Sequence, residues 1–182
     1  MALLTNVVFG QEQGITPKSI SQKDFQDYLA NHPPTVTYDK FKKITTIDYV
    51  IPLNGIKGGN GLTCDWVFEI SAFVQTNKTN FCVFLTSVTK DWKYLQCNDF
   101  HWLIDGKKFG YYSEKYSNRM NGEGNPVSEV FQINLTQKQF KNLVRCKKIE
   151  FEVCNDQFAL FDDVTNALVT FNEKYNAFLK TK

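Results

Sequence analysis

Residues 64–88, "CDWVFEISAFVQTNKTNFCVFLTSV", leave this chain few ways to fold. Cys64, Trp66, Phe68, Ile70, Ala72 and Val74 alternate with Asp65, Glu69, Ser71 and Gln75. A period of two places the apolar set on one face of a strand and the polar set on the other. "TNKTN" at 76–80 is a turn, and beyond it Phe81, Val83 and Leu85 occupy one face while Cys82, Phe84 and Val88 occupy the other. A strand apolar on both faces is expected at the centre of a sheet, covered from both sides. The preceding "ITTIDYVIPL" is β-branched and reads as a neighbouring strand, closed by Pro52 and followed by the glycine-bearing "NGIKGGNG".

A second strand pair is signalled at 99–112, "DFHWLIDGKKFGYY". Asp105-Gly106 suits the two positive φ angles of a type I′ turn, so Ile104 and Lys107 should face each other across it. Phe100, Trp102 and Ile104 then share a buried face that Phe109 and Tyr111 continue, while His101 and Tyr112 point the other way. After this hairpin, 117–128 ("SNRMNGEGNPVS") is the longest polar, glycine-bearing loop, and "VFQINL" is a strand.

Three helices complete the pattern. Residues 17–34 carry Ser21 and Asp24 in an approximate capping box and Phe25, Tyr28 and Leu29 at helical spacing, and Pro33-Pro34 ends the segment. In "LTQKQFKNLVRC", Thr136 and Gln139 form a capping box and Phe140, Leu143 and Val144 the apolar stripe. "KKIEFEVCND" alternates again, and "QFALF" pairs back on it through Asn155-Asp156. Asp162 or Asp163 starts a C-terminal helix with Val164, Leu168, Phe171, Tyr175 and Phe178 on one face. The expected fold is α+β: mainly an antiparallel β-sandwich or partly open barrel of seven to nine strands, with N-terminal, internal and C-terminal helices. With 182 residues, no internal repeat and no long linker, residues 1–182 form a single domain.

Charge and chemistry-bearing residues narrow the function classes. The net charge of +2 is dispersed in small lysine pairs among acids, unlike the basic stripe of a nucleic-acid binder. Five cysteines without CxxC spacing argue against a zinc ribbon or a redox motif. They read as buried thiols, with Cys146 and Cys154 the pair for a disulfide if the strand after the helix leads back past its end. There are two histidines: His32 precedes two prolines, and His101 lies four residues after Cys97, about 13 Å along a regular strand, too far for a thiol–imidazole pair. No spacing for a metal site or a phosphate loop is present, so no cofactor and no catalytic residue is expected. "NKT" at 77–79 and "NLT" at 134–136 match glycosylation acceptors, at a frequency that chance explains.

The N-terminal "MALLTNVVFGQEQG" has an apolar run far short of the ~20 residues that span a bilayer. Residues 1–14 read either as the remnant of an export signal or as a first strand. The first reading places the protein in a secreted or periplasmic compartment, the second in the cytoplasm.

The C-terminal third, "INLTQKQFKNLVRCKKIEFEVCNDQFAL", resembles the ending of several uncharacterised, often exported bacterial domains. In these a strand leads to a short helix of pattern L-T/S-x-x-x-F/L-x-x-L, then to a strand of pattern K-x-I/V-E-F-x-V-C, then to a final helix. The resemblance implies a β-sandwich-like α+β fold and carries no catalytic residues.

Rings therefore dominate the functional reading. Trp66, Phe68, Phe100, Trp102, Phe109 and Tyr111 make a packed core or line a cavity. Trp92, Tyr94, Tyr112 and Tyr116, with His101, are the candidates for an exposed recognition patch, since Trp and Tyr suit interfaces. The expected function is a non-enzymatic binding module for a protein or cell-surface partner, acting through the hairpin and the 117–128 loop. The alternatives are a carrier of a small apolar ligand within the sheets and a hydrolase of unrecognised site.

Overall fold

In a computed structural model of the protein, the residues described are 22–53, 65–89, 91–96, 99–109, 115–120, 127–154, 156–160 and 162–181. The alternation at 64–88 builds a long hairpin: β3 (Asp65–Val74) pairs antiparallel with β4 (Thr79–Thr89) from Asp65↔Val88 to Val74↔Thr79. The β-branched run upstream is β2 (Ile44–Pro52), paired with β3 and, on its other side, with the short edge strand β1 (Thr35–Asp39). Beyond β4 come β8 (Val127–Leu135) and β7 (Lys115–Met120), giving a six-stranded sheet of order β1-β2-β3-β4-β8-β7.

The Asp105-Gly106 hairpin forms with the expected register. Strand β5 (Phe100–Ile104) pairs with β6 (Lys107–Phe109) so that Ile104 faces Lys107. Asp105 and Gly106 have φ of 51° and 72°, the two positive values a type I′ turn demands. On its other edge β5 pairs with β9 (Ile149–Val153), which pairs with β10 (Asp156–Ala159), completing a four-stranded sheet β10-β9-β5-β6. Counting the three-residue β6, the two sheets hold ten strands among the described residues.

The sheets stack as a sandwich through rings. Trp66 meets Phe151 edge-on at 5.4 Å, Phe68 meets Trp102 at 6.3 Å, and Phe100 stacks on Phe131 at 5.8 Å. Each fully buried side chain of this size contributes roughly 1.5–3 kcal/mol, so these faces hold the layers together. The rest of the same face of the large sheet is covered by helices. Helix α2 (Gln137–Arg145) lays Phe140 parallel on Phe81 at 4.0 Å, and α3 (Asp162–Lys180) brings Tyr175 edge-on to Phe81 at 5.2 Å. Val164, Leu168, Phe171 and Tyr175 are buried, as the helical spacing requires. The capping box of α2 is complete, Thr136 and Gln139 each accepting from the other's backbone N–H. Helix α1 (Gln22–Asn31) is shorter than the 17–34 segment and lies against α3.

Three local expectations change. β4 is central, yet only its inner face is filled; on the outer face Cys82 is buried while Phe84 and Val88 are half-exposed. An antiparallel sheet can leave one face to water, and apolar cross-strand neighbours shield each other there. The 117–128 segment is not all loop: Ser117–Met120 lies in β7 and Val127–Ser128 in β8, because edge strands accept polar side chains, while 121–126 lies outside the described residues. The turn between β9 and β10 is centred one residue earlier than Asn155-Asp156, with Cys154 at φ 58° and Asp156 already opposite Val153.

Candidate functional site

The pleat decides which hairpin residues can meet a partner. Phe100, Trp102 and Ile104 point into the sandwich and are buried. His101 and Leu103 point the other way, His101 half-buried and Leu103 40% exposed. Across the strand pair His101 faces Glu152 and Leu103 faces Glu150, with Lys108 opposite Leu103 on the other edge. Lys148 forms an ion pair with Glu150 at 2.7 Å. The outer face of the small sheet is thus an apolar spot at Leu103 inside a ring of charge, with one imidazole beside it.

The remaining predicted residues do not gather there. Tyr94 belongs to the core, 1% exposed, with its ring 5.6 Å from Trp66 and 5.9 Å from Phe131. This corrects its place in an exposed patch. The cause is Glu129, whose buried carboxylate accepts the backbone N–H groups of Lys93 and Tyr94, both at 2.8 Å, and draws the 91–96 segment inward. Nothing in the local pattern around Tyr94 signals an acid thirty-five residues away. Trp92, in the same segment, is half-buried. Tyr116 lies in β7 of the large sheet, so its strand is not part of the His101 sheet. Tyr112 lies outside the described residues.

The cysteines divide differently from the expected pairing. Cys146 is a free, buried thiol whose Sγ donates to the Leu143 carbonyl at 2.9 Å, so it does not bond to Cys154. Its thiol is pushed up to about 11, first by burial and then by the negative charge of Asp105. Cys82 is also free and buried. Cys154 is the disulfide-bonded one, and its backbone N–H donates to the Asp99 carbonyl at 3.0 Å. The failed pairing is physical: Cys146 turns back into its own helix end while Cys154 sits at the far end of β9, in a left-handed turn.

Elsewhere on the large sheet, Glu69, Ser71 and Asp48 occupy the outer face. Ser71 Oγ donates to Glu69 Oε1 at 3.3 Å, and Asp48 lies opposite Ser71. Burial, then the charge of Asp48, raises Glu69 above the usual carboxylate range, while the Ser71 bond opposes that shift. No group of three or more metal-ligating side chains occurs among the described residues. Nor, among them, is any helix long and apolar enough to cross a membrane.

Sequence periodicity gave no warning of the apolar exposure near β1. Val36 is 42% exposed, Tyr38 65% and Phe41 87%, although the first two alternate like residues of a buried face. An edge strand extends past whatever covers the sheet, and its inner-face side chains then meet solvent.

Comparison of the chain with family models, with curated proteins and with solved structures finds no match.

Proposed function

We propose that this protein is an exported, non-enzymatic interaction module that meets a protein or cell-surface partner with the outer face of its small sheet, around His101 and Leu103. The observation that carries this reading is how the rings are used. Trp66, Phe68, Phe100, Trp102 and Phe151 pack on one another between the sheets, which leaves recognition to the surface. Among the described residues the geometry also separates His101 from the thiols: Cys82 lies on the other sheet and Cys146 in a helix end, while Cys154 is in a disulfide. Export is supported by that disulfide, because such bonds persist in oxidising compartments.

A photo-crosslinking side chain at position 103 tests the surface. A defined adduct is expected that His101→Ala and Glu152→Ala diminish and that the same probe at exposed Val169 does not give; equal capture at both positions would refute the site. Thiol titration of the denatured, unreduced chain should find three thiols, the five cysteines less the two in the Cys154 bond. Five thiols in protein recovered from its native compartment would remove the support for export.

One observation favours the carrier as a second reading. Trp102 Nε1–H is buried with no hydrogen-bond acceptor among the described residues, a donor that a ligand oxygen could satisfy. Native mass spectrometry of the full chain separates the two: a retained small molecule supports the carrier, and the bare chain mass supports the interaction module.

A further inference from the structure

One end of the large sheet carries two adjacent four-residue turns. Asp39↔Ile44 closes the first over Lys40–Lys43, and Val74↔Thr79 closes the second over Gln75–Lys78. Because Thr45 pairs with Val74, the turns sit side by side. Between them is a cleft of about 330 Å³ lined by Lys42 and Lys43 from the first turn and by Gln75, Thr76, Asn77 and Lys78 from the second. Lys40 adds a fourth cation, its Nζ 5.1 Å from the Phe41 ring centroid. Asp39 is the counter-charge, 3.8 Å from Lys42. Four cations against one anion leave the tip clearly positive.

The first turn is held in shape rather than loose. Asp39 Oδ1 accepts the backbone N–H groups of Phe41 and Lys42 at 2.9 and 3.0 Å, and Lys43 takes a left-handed φ of 55°. That carboxyl is held below its ordinary range, chiefly by the Lys42 N–H bond and despite the desolvation that opposes it. The result is a fixed projection of Phe41, 87% exposed, with Tyr38, 65% exposed, on the adjoining strand. Leaving a phenyl ring in water forfeits its transfer free energy, and a ring ordered outward among lysines fits a surface that is apolar just beneath an anionic layer.

We propose that this tip docks on an anionic lipid bilayer, Phe41 entering the headgroup–acyl boundary while Lys40, Lys42, Lys43 and Lys78 contact headgroup phosphates. Charge complementarity selects the anionic surface, and the exposed ring selects a bilayer over a soluble polyanion, which offers no apolar layer. The lysine stems lie along the boundary with their ammonium groups in the headgroup region, as amphipathic side chains do. The site is separate from the His101 face, and its failure leaves that reading untouched.

The test is co-sedimentation of the full chain with phosphatidylcholine vesicles and with vesicles in which a third of the lipid is phosphatidylglycerol. Binding is expected to the second kind alone and to fall as salt screens the lysines. Phe41→Ser should weaken it roughly tenfold. Lys42→Gln with Lys78→Gln should weaken it by roughly fivefold per charge. Both variants change exposed side chains, and circular dichroism checks that they fold. Phe41→Trp should give an emission blue-shift on adding the anionic vesicles. No pelleting with anionic vesicles at low salt, or pelleting unchanged by Phe41→Ser, overturns the proposal. Retention on heparin that needs the lysines but not Phe41, without vesicle binding, would also overturn it, in favour of a soluble polyanion site.

Discussion

Replacing Glu129 by Gln is the sharpest probe of how the core is closed. The carboxylate is 0% exposed and holds two backbone N–H groups at 2.8 Å, those of Lys93 and Tyr94. A hydrogen bond to a charged acceptor contributes about 1.5–3 kcal/mol net. Gln retains one carbonyl oxygen but turns an NH2 toward the second N–H, so one bond becomes a donor–donor contact. The expected loss is about 2–4 kcal/mol, most of it from the N–H left unpaired. Against a total stability of about 5–15 kcal/mol this is a large fraction. For a chain of this length it corresponds to a fall in Tm of roughly 5–15 °C. Urea titration followed by far-ultraviolet dichroism measures it, with the m-value expected to stay at the wild-type slope. Tyr94→Leu should couple to it, because the same two bonds hold the segment that seats the Tyr94 ring against Trp66 and Phe131. The double variant should therefore depart from additivity by at least about 0.5 kcal/mol. A loss under about 0.5 kcal/mol, or strict additivity, would mean that the carboxylate does not seat the segment, and the account of Tyr94 would fall.

Four other outcomes follow from particular groups. Gly106→Ala should cost about 1–2 kcal/mol by chemical denaturation from backbone strain alone, since a Cβ there meets no atom within 4 Å. Asp105 should tolerate Asn better than Ala, because its Oδ1 accepts the Lys147 and Lys148 N–H groups at 2.8 and 2.9 Å; equal stability of the two variants would count against this. Cys146 should resist alkylation in the native state at pH 8, with its thiol held protonated. Its folded pKa is above the unfolded value of 9.0, so the stability it contributes is present below about 9 and is lost as pH rises toward about 11; Cys146→Ala should flatten that part of the pH profile. Glu69→Gln should raise Tm at pH 7 and lose that advantage toward pH 4, because a raised carboxyl disfavours the fold only where it must ionise; an unchanged Tm difference across this range would refute the assignment.

Much of the architecture was legible because its signals are local. The period of two at 64–88, the Asp105-Gly106 pair, the Thr136–Gln139 box and the α3 stripe each act within a few residues, and each forms as expected. The candidate site was less legible. Tyr94 alternates like a surface ring, and only the distant Glu129 turns it inward. Cys146 and Cys154 are near in sequence yet do not pair, because the extended strand β9 lies between them and holds them at its opposite ends.

Taken alone, the sequence determined that this chain builds mainly antiparallel sheets with N-terminal, internal and C-terminal helices, and that Phe100 and Trp102 share a buried face opposite to His101. Pleat and helical pitch impose those facts on any chain with this pattern. Which strands lie at an edge, and which side chains that edge leaves in solvent, only the tertiary structure decided. It made β1 the border of the large sheet and so left Tyr38 and Phe41 in solvent, and it placed the 40–43 turn beside the 75–78 turn so that scattered lysines became one positive tip. Burial and proximity are properties of the packed whole, set by which surfaces remain when the layers close, and no short window of residues encodes them.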